Sequence, residues 1–189
     1  SHPDAQAGLA SCFLQEGNHD AARTHLARAL EVNAAHPLAR LVSARLETLA
    51  ENYAAAATAC EALIIANPAF AEARALRAAC RFVLGDRAAY DAERAEFARR
   101  HPGSGLVPHL VAALLSDQRR FEEAAAQEAE AIAADPWFWE AHIAHGMNLL
   151  RAGDDVRAAR FVSGDELAAL PTTDGLSAVV ERARRMTLT

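Results

Sequence analysis

The chain contains no lysine: all 19 basic residues among its 189 are arginine. Such a complete bias reflects GC-rich coding and hints at a bacterial source. A net charge of -6 and a pI near 5.7 leave no basic excess. The arginines are dispersed rather than striped, so nucleic acid is excluded as the expected partner. Aromatic residues make up only 6%, which speaks against a β-sandwich or barrel, folds that draw on aromatic and β-branched residues. The three cysteines, Cys12, Cys60 and Cys80, are far apart with no C-x-x-C spacing. Neither a zinc knuckle nor a disulfide framework follows, and they read as small buried hydrophobes. No apolar run reaches the ~18 residues of a membrane span, and the start shows no charged segment followed by an apolar core of signal-peptide type. The compartment is left open.

Alanine is what the sequence has in excess, roughly a quarter of all residues within a hydrophobic share of 52%. It is the best helix former and a poor strand former. With so much apolar content the chain is not a disordered one. The composition predicts an all-α fold.

Several residue classes recur on one period. Pro37, Pro68, Pro102, Pro136 and Pro171 are 31, 34, 34 and 35 residues apart, most of them after a polar residue (His36, Asn67, His101, Asp135). Gly17, Gly85 and Gly153 are spaced by 68, with Glu51 and Arg119 midway between them. Ala22, Ala56, Ala124 and Ala158 keep a step of 34, and Tyr90 stands on the remaining rung, where it predicts local widening between two helices. Within a period, Leu9, Ala10 and Phe13 recur at helical spacing, Gly17-Asn18-His19 breaks the helix, and Ala22, Leu26, Ala29 and Leu30 form the face of a second. Proline ends the pair because it lacks an N–H and disfavours helical geometry in the preceding residue. A helix pair of this size cannot bury its apolar face alone, so it must stack on the next one.

These residues resemble the tetratricopeptide repeat, a 34-residue helix-turn-helix unit. The first repeat matches through Leu9, Ala10, Phe13, Gly17, Ala22, Leu26 and Ala29. The fourth matches through Val111, Ala112, Leu115, Phe121, Ala124, Ala131 and Pro136, and the fifth through Gly146, Leu149, Gly153 and Ala158. In the second, Ala39, Val42, Ser43 and Leu46 fit with a one-residue shift before Tyr53 and Ala56. In the third, the register around Leu76, Ala79, Cys80 and Val83 is open by a residue or two. The resemblance implies a right-handed α-solenoid over 3–170, with repeats at 3–36, 37–70, 71–104, 105–138 and 139–170. After Pro171, Thr172-Thr173-Asp174 offers N-cap side chains, and Leu176, Val179, Val180 and Ala183 line one face of a capping helix within 171–189. Ser163-Gly164-Asp165 should shorten or bend the helix before it.

No catalytic constellation emerges, and no cofactor or metal is expected. His142 and His145 lack the spacing and the glutamate of a zincin motif and read as interhelix or surface histidines. Gly103-Ser104-Gly105 lacks the strand-turn-helix setting of a nucleophile elbow and reads as a loose loop. Candidate partner-binding residues are of two kinds. Arg74, Arg77 and Arg81, at i, i+3 and i+7, share one helical face and on an inner wall would take a carboxylate through forked hydrogen bonds. The plainer alternative is a solvated face, or one paired with nearby Glu72 and Asp86. Trp137 and Trp139, with Phe138 between them, are interface anchors by type. Their plainer role is to staple the fourth repeat to the fifth, although three successive aromatics cannot all face inward. The resemblance places His109 and Glu140 in inner-face columns. It does not extend to the family members that grip chaperone C-termini with lysines and asparagines, since Ala7 and Ser11 stand at two of those columns.

The expectation is a non-enzymatic interaction module whose concave groove binds an extended peptide or a helix of a partner protein. Two alternatives stand beside it. The chain is the repeat segment of a larger bacterial peptidase or glycosyltransferase, as a short similarity around Glu140-Ala141-His142 suggests, or a scaffold that self-assembles through an open end.

Overall fold

In the computed structural model, which describes residues 2–153, every regular element is a helix. They are α1 (Pro3–Gln15), α2 (His19–Val32), α3 (Pro37–Leu49), α4 (Tyr53–Ala66), α5 (Ala71–Val83), α6 (Arg87–Arg100), α7 (Leu106–Asp117), α8 (Phe121–Ala134) and α9 (Trp139–Arg151). The fold class is an all-α helical-repeat solenoid. The expected capping helix in 171–189, the Ser163-Gly164-Asp165 break and the Ala158 rung lie outside the described residues. The chain divides into two compact units, Ser1–Arg100 with α1 to α6 and His101–Thr189 with α7 to α9.

Within the first unit, α1 packs on α2 and α3, and then each helix packs on the next as far as α6. In the second, α8 packs against both α7 and α9. Residues standing 34 apart explain this regularity. Ala10, Ala44, Ala78 and Ala112 are all 0–1% exposed, as are Ala22, Ala56 and Ala124 on the second ladder. Small side chains there let helix backbones approach, and enlarging one would cost about 1–3 kcal/mol in strain. Ala44 also settles the second repeat: its small rung is in step with the others, and no one-residue shift around Ser43 is needed. The larger side chains Leu26, Val42 and Leu46 complete the core of the first two pairs, each contributing roughly 1.5–3 kcal/mol through burial.

The turns carry the same period. Gly17, Glu51, Gly85, Arg119 and Gly153 all have φ between 60° and 80°, so the glycine ladder marks a left-handed residue after the first helix of each pair. Asn33, Asn67 and Asp135 end α2, α4 and α8, and each side chain accepts a hydrogen bond from the N–H two residues on. That ladder accounts for the short 31-residue proline step. Pro68 and Pro136 follow the Asx turn directly, whereas Pro37 sits three residues later as the first residue of α3, where its missing N–H costs nothing. Pro37 thus opens a helix rather than closing one. His36 caps it, Nδ1 accepting from Ala39 N, while Nε2 donates to Asp4 Oδ1 at 2.8 Å.

Two further expectations change. Cys60 and Cys80 are fully buried, and burial pushes each thiol up to about 12, but Cys12 is exposed because α1 buries only Ala7 and Ala10. Gly103-Ser104-Gly105 is not loose. Gly105 is buried at the start of α7, and a Cβ placed on it would stand 2.4 Å from Ala131 O in α8.

Candidate functional site

Helix α5 is strongly two-faced. Ala73, Ala75, Leu76, Ala78, Ala79, Cys80 and Phe82 are buried, and Arg74, Arg77 and Arg81 occupy the other side. Arg77 and Arg81 stand 68 residues after Leu9 and Phe13 and 34 before Val111 and Leu115; Val111 and Leu115 are fully buried, whereas the second repeat has Ser43 and Glu47 in the same columns. The third pair therefore joins its helices through charge where the fourth has hydrocarbon.

The opposing helix α6 supplies the counter-charge. Glu93 Oε1 lies 2.9 Å from Arg77 Nε and 3.1 Å from Arg81 Nε, while Arg77 Nη1 lies 3.9 Å from Glu61. Glu93 Oε2 is buried and has no hydrogen-bond partner among the described residues. Arg74 spends its Nε on Pro68 O, at 2.8 Å. The two acids expected to neutralise this row are engaged elsewhere: Glu72 pairs with Arg45, and Asp86 caps Ala89 N. Arg74, Arg77 and Arg81, with Ala89, Ala92, Glu93, Glu96 and Phe97 of α6, line a cleft of about 180 Å³. Glu96 is held by Arg99 and Arg100. Beyond the cleft, Tyr90 is buried edge-on to Phe82, with ring centroids 5.0 Å apart, and Arg87 lies over Phe82.

The Arg74 contact belongs to a series. Arg40 Nε donates to Ala34 O, Arg74 Nε to Pro68 O, and His142 Nε2 to Pro136 O, all at 2.8–3.0 Å and on a period of 34. Pro108 stands in the fourth repeat's column and has no donor. In the second, third and fifth repeats the side chain one turn into the first helix thus ties down the loop before it, the part His142 plays in α9. His145, also buried, binds Ala125 O at 2.8 Å and fastens α9 to α8. Both histidines are interhelix groups, and no cluster of three or more metal-binding side chains occurs among the described residues.

In the second unit the remaining candidates separate. His109 turns inward: its Nδ1 donates to both oxygens of Glu128, at 3.1 and 3.0 Å, and its ring packs on Phe138 with centroids 4.8 Å apart. Glu128 is 1% exposed. Burial raises its carboxyl above the ordinary glutamate range, an effect the His109 hydrogen bond partly offsets. Trp137 and Trp139, by contrast, are 61% and 52% exposed, and Glu140 beside them is exposed too. Phe138 is the aromatic that turns in, so the tryptophans are not the staple.

The residues that sequence reasoning missed are Glu93 and Glu128. Both had a legible signal. Glu128 falls in the column of Leu26 and Cys60, both buried, and Glu93 stands on the second helix of the pair whose first helix has arginine where the fourth repeat has buried Val111 and Leu115.

The sequence model of the tetratricopeptide repeat matches residues 13–80. Residues 13–80 are thus tetratricopeptide repeat sequence. Solved tetratricopeptide repeat structures agree with the helical fold. A thermophilic member from Thermus thermophilus superposes with a TM-score of 0.63 at 17% identity, covering 96% of this chain and 98% of that one. PilF of Pseudomonas aeruginosa gives 0.55 at 14% identity, covering 98% and 84%. YrrB, a tetratricopeptide repeat protein with an unusual peptide-binding site, gives 0.50 at 14% identity, covering 94% and 90%. No curated protein matches the chain. Tetratricopeptide repeats generally mediate protein–protein interaction, and among the described residues no helix is long and apolar enough to cross a membrane.

Proposed function

We propose that this chain is a non-enzymatic binding module that takes a peptide or helix of a partner protein, with Arg74, Arg77 and Arg81 reading acidic residues in that partner. The observation that carries this reading is the cleft between α5 and α6, where three guanidinium groups line a space of side-chain size. Planar guanidinium forks suit carboxylates better than any other common protein group. The peptide-binding site of YrrB supports such a role for the fold. In the second unit, exposed Trp137 and Trp139, rimmed by Glu140, are suited to anchor a separate contact. His109 serves that surface from behind, by holding Phe138.

The test compares fluorescein-labelled peptides of equal length and differing charge, titrated against wild type and the Arg77→Gln/Arg81→Gln double variant. Acidic peptides should bind best, and the double variant should lose that preference. Unchanged binding would remove the arginine row from the site, and loss on Trp139→Ala alone would move the partner surface to the second unit.

A further inference from the structure

The charge arrangement in the cleft says more than that it is basic. Arg77 and Arg81 both direct Nε at a single oxygen of Glu93, although an arginine and a carboxylate pair best as two parallel N–H···O bonds. The second oxygen of Glu93 is buried without a donor, and Arg77 Nε makes no well-directed hydrogen bond despite its 2.9 Å separation. Arg74 has no carboxylate partner among the described residues, and it is crowded by cations: its guanidinium is held below its ordinary range by burial first and then by Arg100 and Arg77. The other acid of the cleft, Glu96, is gripped by Arg99 and Arg100. One shared and badly aligned carboxylate thus serves Arg77 and Arg81, and none pairs with Arg74 among the described residues.

We propose that Glu93 is an internal stand-in for a partner's carboxylate: an aspartate or glutamate side chain of the bound peptide enters the cleft, takes the forks of Arg77 and Arg81, and displaces Glu93 toward solvent. The inference rests on the acidic-peptide reading above. It adds that Glu93 sets the affinity of the site. A neutral side chain gains too little from two guanidiniums to offset the release of Glu93, whereas a carboxylate replaces it charge for charge, and Glu93 holds α6 on α5 while the site is empty. Arg74, tied to the loop through Nε, presents its remaining N–H groups to the same carboxylate. The cleft volume suits one carboxylate side chain and not a helix, so recognition is of a single acidic residue within a longer contact.

The experiment titrates the full chain with a fluorescein-labelled glutamate-rich dodecapeptide and with its glutamine counterpart, using wild type, Glu93→Gln and Glu61→Gln. Removing the competing charge should tighten the acidic peptide up to about fivefold in Glu93→Gln, the scale of one partly exposed ion pair, while the acidic peptide stays preferred over the glutamine peptide. Glu61→Gln, which touches only the loose 3.9 Å contact, should change little. Equal or weaker binding by folded Glu93→Gln would overturn the stand-in role while leaving the acidic-peptide reading intact. Failure of wild type and Glu93→Gln alike to bind the acidic peptide would overturn both. Should Glu93→Gln not fold, wild type decides the matter by NMR: the Nε–Hε signals of Arg77 and Arg81 and the Glu93 carboxyl carbon should all shift as acidic peptide is added, and a Glu93 signal that stays in place while the arginine signals move would overturn the displacement.

Discussion

Replacing His109 by alanine removes the side chain that donates to the most deeply buried carboxylate among the described residues. Glu128 is 1% exposed and His109 about one-fifth exposed, so truncating the histidine leaves a charge with no donor and only a narrow route for water. Removing one partner of a buried pair costs about 3–5 kcal/mol. The lower end applies here, because a carboxyl group can escape by taking up a proton. That escape makes the effect pH-dependent, with a definite sign. Burial already raises the folded-state pKa of Glu128 above the ordinary glutamate value of 4.5, and His109 supplies both opposing effects, its hydrogen bond and its charge. In His109→Ala both are lost, and the pKa climbs further. A raised carboxyl pKa means that the folded chain holds the proton more tightly than the unfolded chain, so stability is fullest below the ordinary value and declines as pH rises toward the folded one. Each further unit of upward shift adds about 1.4 kcal/mol to the deficit at neutral pH. Urea denaturation followed by circular dichroism, at pH 7 and at pH 5, should show His109→Ala falling further behind wild type at pH 7. Adding Glu128→Gln should restore about 1–3 kcal/mol at pH 7, the scale of the lost charge penalty, and flatten the pH dependence. Equal deficits at both pH values, or no recovery in the double variant, would refute this view of the pair.

Other predictions concern the backbone. Glu51→Gly and Arg119→Gly each relieve a left-handed conformation that costs an L-residue about 1–2 kcal/mol, partly offset by glycine's greater entropy loss, so each should raise stability by roughly 0.5 kcal/mol and Tm by about 1–2 °C. Gly17→Ala should do the reverse, losing about 1 kcal/mol although open space surrounds the new methyl. Gly105→Ala and Gly8→Ala form a contrasting pair. The first pushes a methyl to 2.4 Å from Ala131 O and should lose about 1–3 kcal/mol or more, while the second, in the interior of α1 with nothing within 4 Å, should gain about 0.5–1 kcal/mol. Thermal denaturation of these variants checks all of them; a destabilised Gly8→Ala would show that α1 meets a neighbour not accounted for.

The helical repeat was legible because its recurring residues perform one task each. Ala10 and Ala22 name columns where backbones meet, and Gly17 and Gly85 name a left-handed turn, so position modulo 34 carries the structure even where Glu51 or Arg119 breaks the residue pattern. Legibility failed where one side chain was read without its partner. The row Arg74, Arg77 and Arg81 is visible in the sequence as a face, but its partner across the helix pair is not, and Glu72 and Asp86 are nearer in sequence than Glu93. His109 looked like an inner-face contact because Glu128, 19 residues away on the next helix, was not paired with it. The aromatic cluster divides for the same reason: Phe138 packs on His109 of the fourth repeat, and the tryptophans on either side of it are left to solvent. Cys12 escaped burial because α1 has a narrow buried face, a property of what packs on it and not of its own sequence.

The proposed function turns on whether the cleft between α5 and α6 reads an acidic residue of a partner. An anisotropy titration of wild type decides it, with the glutamate-rich dodecapeptide and its glutamine counterpart at about 50 and about 300 mM salt, since screening of charge pairs strengthens over that range. Saturable binding of the glutamate peptide is expected, weakened by salt and by Arg77→Gln/Arg81→Gln, with little binding of the glutamine peptide. Equal affinity for the two peptides, or binding of the glutamate peptide that the double variant retains in full, would contradict an acid-reading cleft.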